Sequence, residues 1–281
     1  MACGIPIPDW AGQSWPRWFA PERAPFLVDE LPVEDRERLP AVTSPEVPLE
    51  LRDTFWIYGA DRDRIWLDQD QFEGLPKGLR QRLLRAQRDE HEVWLRGPSG
   101  SYGPWWPTLI PADLAPIVAY LEFGCPPSTH GQVAESTWSA VAPLLPRARE
   151  LAGTFAPGSG PNCFGTVLAA AGVADADETW MGRQEVEDWL SERTTPVDGP
   201  ARDHEPGTVL SWRDADGSLQ HASVTLGDGW ALNKPSQAWA SPRFVWTVDQ
   251  VKRHTRQSGL RLSRRQLRQA TRPGDTRVHS R

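Results

Sequence analysis

Within residues 126–255 the apolar residues change their period once, and that change fixes the fold class. Up to Arg193 they recur at helical spacing, as in the amphipathic segment Glu185–Arg193. From Thr208 onward they alternate, over Thr208–Arg213, Gln220–Leu226, Trp230–Lys234 and Arg243–Val248. Period 3.6 buries one stripe of a helix, whereas period 2 buries one face of a strand. Asp216-Gly217 and Asp228-Gly229 are turn dipeptides between alternating runs, so the four strands read as an antiparallel meander. Helices followed by an antiparallel meander make an α+β fold.

Upstream of the meander, four segments are expected. Residues 1–50 carry nine prolines. Each one fixes φ and removes a backbone donor, so this stretch reads as an extended arm. Residues 51–125 read as a small mixed module. It has short strands at Thr54–Tyr58 and Arg64–Leu67, and helices at Leu79–Glu90 and Ala112–Phe123. Trp105 and Trp106, on a loop of that module, either pack a core or line a substrate cleft. Residues 126–255 hold the remaining helices and the meander. Residues 256–281 read as a flexible basic tail. From Lys252 onward ten basic residues face one acidic residue, Asp275, against 21 basic and 36 acidic in the rest of the chain. With no aromatic residue in this end to stack on bases, nucleic-acid binding is not expected.

Three cysteines, Cys3, Cys125 and Cys163, form neither a disulfide framework nor a zinc spacing. No apolar run approaches the ~20 residues of a membrane helix, and Met1–Pro6 does not open a signal peptide. The expectation is a reduced, cytoplasmic protein with no membrane contact, no metal and no cofactor.

Cys163 stands apart from the other two cysteines. It opens a short apolar helix directly after the loop Gly158-Ser-Gly-Pro-Asn162, and Gly172 closes that helix. Unpaired N–H groups at a helix start favour a thiolate and can hold an oxyanion. Asn162 and Ser159 are candidates to assist the Cys163 N–H in that role. A cysteine nucleophile needs a base. Of the six histidines only His221 lies within a core strand. There it shares one face with Ser223 and Thr225, opposite Ala222, Val224 and Leu226. Ser223 therefore joins the substrate-binding candidates.

Asn233, on the next strand, is the candidate to orient the imidazole. The hairpin decides whether it can. A two-residue turn at Asp228-Gly229 puts Asn233 on the face away from His221. A three-residue loop, Gly227-Asp228-Gly229, puts it opposite Ser223 and diagonal to His221, within side-chain reach. A Cys-His-Asn triad thus requires the three-residue loop.

The run Ala148-Arg-Glu-Leu-Ala-Gly-Thr-Phe-Ala-Pro-Gly-Ser-Gly-Pro-Asn-Cys-Phe-Gly-Thr-Val, together with His221-Ala-Ser-Val-Thr-Leu-Gly-Asp-Gly-Trp-Ala-Leu-Asn233, resembles the NlpC/P60-type papain-like domain. The resemblance covers about residues 130–250. It implies an antiparallel sheet packed on a Cys-bearing helix, with Cys163 as nucleophile, His221 as base and Asn233 as the third member. The implied activity is hydrolysis of a peptide or small-molecule amide through an acyl-enzyme. Two alternatives stay open: acyl or peptidyl transfer by the same triad, and a non-catalytic descendant that binds peptides or a partner, with Phe155 and Phe164 marking altered subsites.

Overall fold

Two antiparallel sheets organise the chain, in a computed structural model that describes residues 1–42, 46–58, 62–87 and 104–268. The class is α+β. The chain divides into two units. The first comprises Met1–Pro127 with the tripeptides Pro157–Ser159 and Ala238–Ala240; the second holds Ser128–Ala156, Gly160–Gln237 and everything from Ser241.

The first unit runs α1 (Ala11–Phe19), β1 (Ala24–Leu27), α2 (Val33–Arg36), α3 (Leu49–Thr54), β2 (Arg64–Leu67), α4 (Gln69–Gly74), α5 (Lys77–Ala86) and α6 (Ala115–Glu122). The expected arm 1–50 is therefore corrected: it is part of a folded unit. Its Ala24–Leu27 pairs antiparallel with β2, and Phe26 stacks on Phe72 at 5.4 Å between ring centroids. Buried Gln87 substitutes for a third strand. Its Nε2 donates to the Leu27 carbonyl and its Oε1 accepts from the Leu27 N–H. The tryptophans of α1 also anchor the arm, for Trp15 and Trp18 pack on Trp239, 6.0 and 5.4 Å away. The strand expected at Thr54–Tyr58 is absent. Thr54 ends α3, and Trp56 takes a left-handed backbone (φ 51°) that breaks the extended run. The expected helix end at Glu90 and the tail residues 269–281 lie outside the described residues.

The second unit runs α7 (Glu135–Val141), α8 (Ala148–Leu151), α9 (Cys163–Ala170), α10 (Arg183–Arg193), β3 (Thr194–Pro196), β4 (Thr208–Arg213), β5 (Leu219–Gly227), β6 (Trp230–Asn233), β7 (Phe244–Thr247), α11 (Val248–His254) and β8 (Arg261–Leu267). The sheet order is β3-β8-β4-β5-β6-β7, antiparallel throughout. The expected meander is its β4–β7 half. The expectation of a flexible tail from 256 is corrected at β8, which lies between β3 and β4. Its arginines bond to the body: Arg264 clamps buried Asp203 (Nε to Oδ1 2.7 Å), and Arg265 donates to Thr194 Oγ1 at 2.6 Å.

Helix α9 is buried at every residue. Phe164, Val167 and Leu168 share one core with Ala222, Val224, Leu232 and Val245 of the sheet. Gly165 permits this depth, because a Cβ there would fall 2.1 Å from the Ala176 carbonyl oxygen. Among the described residues, no helix is long and apolar enough to cross a membrane.

Candidate active site

Helix α9 starts at Cys163 because Asn162 caps it. Asn162 Oδ1 accepts from the Gly165 N–H at 2.9 Å, and its Nδ2 donates to the Met181 carbonyl at 2.9 Å. This is an N-cap that also ties down a neighbouring loop. Both ends of the amide are engaged, so the expected oxyanion candidate serves as a helix cap in this structure. At the same helix start the backbone N–H groups of Cys163 and Phe164 act on the sulfur.

The hairpin between β5 and β6 reaches the required register by an unexpected route. Its turn has two residues, Asp228 and Gly229, both left-handed (φ 52° and 82°), between paired Gly227 and Trp230. Such a turn alone would carry Asn233 to the face away from His221. A bulge between Thr225 and Gly227 shifts the ladder by one, so that Val224 pairs with Leu232 and Thr225 with Ala231. Gly227, at φ 102°, accommodates it. Asn233 thus faces the same way as His221, and His221 Nε2 and Asn233 Oδ1 are 2.8 Å apart.

An amide oxygen only accepts, so Nε2 must carry the proton. In neutral His221 this leaves Nδ1 with the lone pair, which makes it the basic nitrogen. Trp212, opposite His221 on β4, packs its ring 5.4 Å from the imidazole. Burial pushes His221 down to about 4, partly opposed by the bond to Asn233. His254, its ring tilted against Trp246 with centroids 4.9 Å apart, is lowered too, chiefly by burial.

β6 ends at Asn233, so β5 continues without a partner on that side before Ser223. The backbone N–H of Ala222, the residue next to His221, favours the Cys163 thiolate. Burial pushes the thiol up to about 11. The Ala222 and Phe164 N–H groups, the Lys234 charge and the Cys163 N–H all favour the thiolate, but burial outweighs them. The helix start thus acts in the expected direction without producing a resting thiolate. Among the described residues, no hydrogen bond joins the sulfur to the imidazole. Both groups are neutral at rest.

Of the other candidates, Ser223 is fully buried on the His221 face. Neither its hydroxyl nor Asn233 Nδ2 has a hydrogen-bond partner among the described residues. Unsatisfied buried groups cost about 1–3 kcal/mol each, and native structures hold few of them. Ser159 belongs to the first unit, where its N–H donates to Glu50 and its hydroxyl accepts from the Trp239 N–H. Trp105 and Trp106 lie in that unit as well. Both are buried, Trp105 against Phe19 and Trp106 against Phe72 at 5.9 Å. Among the described residues, no cluster of three His, Cys, Asp or Glu is placed to hold a metal.

No protein-family model, curated protein or solved structure matches this chain. The site therefore rests on its own geometry. One residue of it escaped the sequence reading: Lys234, fully buried, with Nζ donating to the carbonyls of Ser236 and Ser241. A signal was present, for 28 of the 31 basic residues are arginine, and Lys234 is one of the three exceptions.

The buried imidazole makes stability depend on pH. Its value falls from an ordinary 6.5 to about 4 on folding. Above 6.5 neither state holds the extra proton, and its contribution is complete. Between 6.5 and 4 the unfolded chain takes a proton that the folded one refuses, so stability falls with pH. At 1.36 kcal/mol per unit the loss is roughly 3 kcal/mol. Urea unfolding of the wild type and of His221→Gln at several pH values should show that difference. Parallel pH dependences for the two proteins would contradict it.

Proposed function

We propose that the second unit is a papain-like, NlpC/P60-type cysteine hydrolase acting on a peptide or small-molecule amide. The observation that carries the reading is the 2.8 Å bond from His221 Nε2 to Asn233 Oδ1, which leaves Nδ1 as the basic nitrogen in the same unit as a helix-start cysteine. The Cys163 thiol gives its proton to His221 Nδ1 as the sulfur attacks the carbonyl carbon. An S–C bond forms, and the carbonyl π pair moves to oxygen, where the helix-start N–H groups stabilise it. Collapse of this intermediate breaks the C–N bond, and the leaving amine takes the proton from the imidazolium. Water, deprotonated by His221, then cleaves the thioester and returns the thiol.

Neutral resting groups fit this sequence. Either charge alone is costly to bury. Formed together, thiolate and imidazolium offset part of each other's cost.

p-Nitrophenyl acetate tests the reading without knowledge of the natural substrate. The expected result is one acetyl adduct on Cys163, located by peptide mass mapping, which forms at least ~100-fold more slowly in His221→Ala. An unmodified Cys163, or a rate indifferent to that substitution, would overturn it.

A further inference from the structure

The chain leaves the second unit twice beside the site, for three residues each time. Pro157–Ser159 belongs to the loop that leads into Cys163, and Ala238–Ala240 to the loop between Asn233 and β7; both tripeptides are part of the first unit. Ser159 stands four positions before Cys163, and Trp239 six after Asn233. Within the first unit these two residues close a ring of hydrogen bonds with helix α3. The Ser159 N–H donates to Glu50 Oε1 at 3.2 Å, and the Trp239 N–H donates to Ser159 Oγ at 3.1 Å. Trp239 Nε1–H donates to Thr54 Oγ1 at 2.9 Å, and the Thr54 hydroxyl donates to the Glu50 carbonyl at 2.8 Å.

The local sequence suits this ring. Glu50 and Thr54 are four apart in one helix and so share a face. Gly158 lets the carboxylate approach, because a Cβ there would fall 2.8 Å from Glu50 Oε1. Thr54 and Trp239 are both buried, so the indole N–H depends on the threonine oxygen. Trp15, Trp18 and Tyr120 pack on Trp239, with ring centroids 6.0, 5.4 and 6.0 Å away. The two loops are joined once more in the second unit, where the Gly160 N–H donates to the Gln237 carbonyl at 3.1 Å.

We propose that Glu50, Thr54, Ser159 and Trp239 are positioning residues for the reaction. Through the ring, α3 holds the loop before the nucleophile and the loop after Asn233 as one piece. It thereby fixes how the chain enters the first turn of α9, whose N–H groups stabilise the oxyanion in the proposed chemistry. The inference rests on reading Cys163 as the nucleophile. Misplacing a reacting group by about 1 Å can cost on the order of 10²-fold in rate, so a firm loop entry has a measurable consequence.

Hydrogen exchange and acetylation, read on the same full-length variants, test this. Glu50 bonds to the 153–162 loop and Thr54 to the 234–241 loop, so each substitution is read at the other loop. Thr54→Val should speed amide exchange in 158–162 by at least ~10-fold, and Glu50→Met should do the same in 236–241, while β4 and β5 stay protected. Thr54→Ser and Glu50→Gln keep the accepting oxygens and should stay within about threefold of the wild type. Acetylation of Cys163 by p-nitrophenyl acetate should slow at least ~10-fold in Thr54→Val and Glu50→Met at saturating ester, and recover in the conservative pair. Exchange that quickens only in the loop a substitution touches, or acetylation at the wild-type rate in a variant that merely melts lower, would make the ring a structural staple and overturn the proposal. A wild type that is not acetylated sinks the hydrolase reading and, with it, the catalytic part of this one; the crosswise exchange stands or falls separately.

Discussion

A chain cut after His254 should not fold its second unit. The cut removes β8, which is an interior strand. It strips the ladder that pairs Thr208–Arg213 with Arg261–Gln266 and leaves β3 without its partner. Each backbone hydrogen bond lost costs about 1 kcal/mol net. Asp203 loses the Arg264 clamp and, among the described residues, keeps Lys252 as its ion-pair partner. Removing one partner of a buried ion pair typically costs about 3–5 kcal/mol. Gln266 no longer bridges Thr208 Oγ1 to the Pro206 carbonyl, and Leu267 leaves the core. Together these losses reach the ~5–15 kcal/mol that stabilises a whole domain. Thermal melts followed by circular dichroism should show no cooperative transition for the second unit, and limited proteolysis should degrade it. A chain ending at Arg268 keeps every contact named here and should melt like the wild type. If the shorter chain melts cooperatively at the wild-type temperature, β8 is dispensable and the sheet order carries less of the fold than its pairings imply.

The same strand shows where sequence reading stops. β4, β5, β6 and β7 are legible because their apolar residues alternate, and alternation has one cheap solution, a sheet with a buried face. β8 reads Arg261-Leu-Ser-Arg-Arg-Gln-Leu267. Nothing in it alternates, and its place is secured by Asp203, Thr194 and backbone carbonyls that are distant in sequence. Those partners become visible only once the chain has folded, so a run of arginines looks like a solvated tail. The arm 1–50 misleads for a related reason. Proline density argues locally for extension, whereas Trp15 and Trp18 find Trp239, more than two hundred positions away.

The site was legible where it depends on parity. His221 and Ser223 share a face because a strand alternates, and Asn233 joins them only when the hairpin carries the extra residue, as the bulge before Gly227 supplies it. The turn itself was not legible. A two-residue Asp-Gly turn plus a bulge, and a three-residue loop, give nearly the same ladder, and Gly227 serves either. Lys234 stood out by residue type alone, as one of three lysines among 31 basic residues, and its surroundings were not legible. Its burial depends on two carbonyls of a loop that has no periodic signal. The charge state of Cys163 was misjudged because a helix start is visible in sequence, but the depth of burial that outweighs it is not.

Replacing Asn233 by leucine should separate catalysis from stability. The two side chains have similar volume, so the core is not emptied. The substitution removes the acceptor for His221 Nε2–H, and also an amide Nδ2 that is buried with no hydrogen-bond partner among the described residues. The two changes oppose each other, and the melting temperature should move by no more than about 1 kcal/mol of stability. The imidazole, however, loses the bond that fixes its tautomer. Once the proton can sit on Nδ1, the nitrogen needed as base has no lone pair. Acetylation of Cys163 should slow by a factor on the order of 10²–10⁴, the range expected for a positioned acid–base group. Nitrogen-15 spectra should show the Nε2–H tautomer in the wild type and a mixture in Asn233→Leu. Asn233→Asp should restore the acceptor and raise the His221 pKa above its value of about 4, because a carboxylate favours imidazolium. A structural role for Asn233 predicts the reverse pattern, a lower melting temperature with the tautomer and rate unchanged, and that outcome would remove the observation on which the proposed chemistry stands.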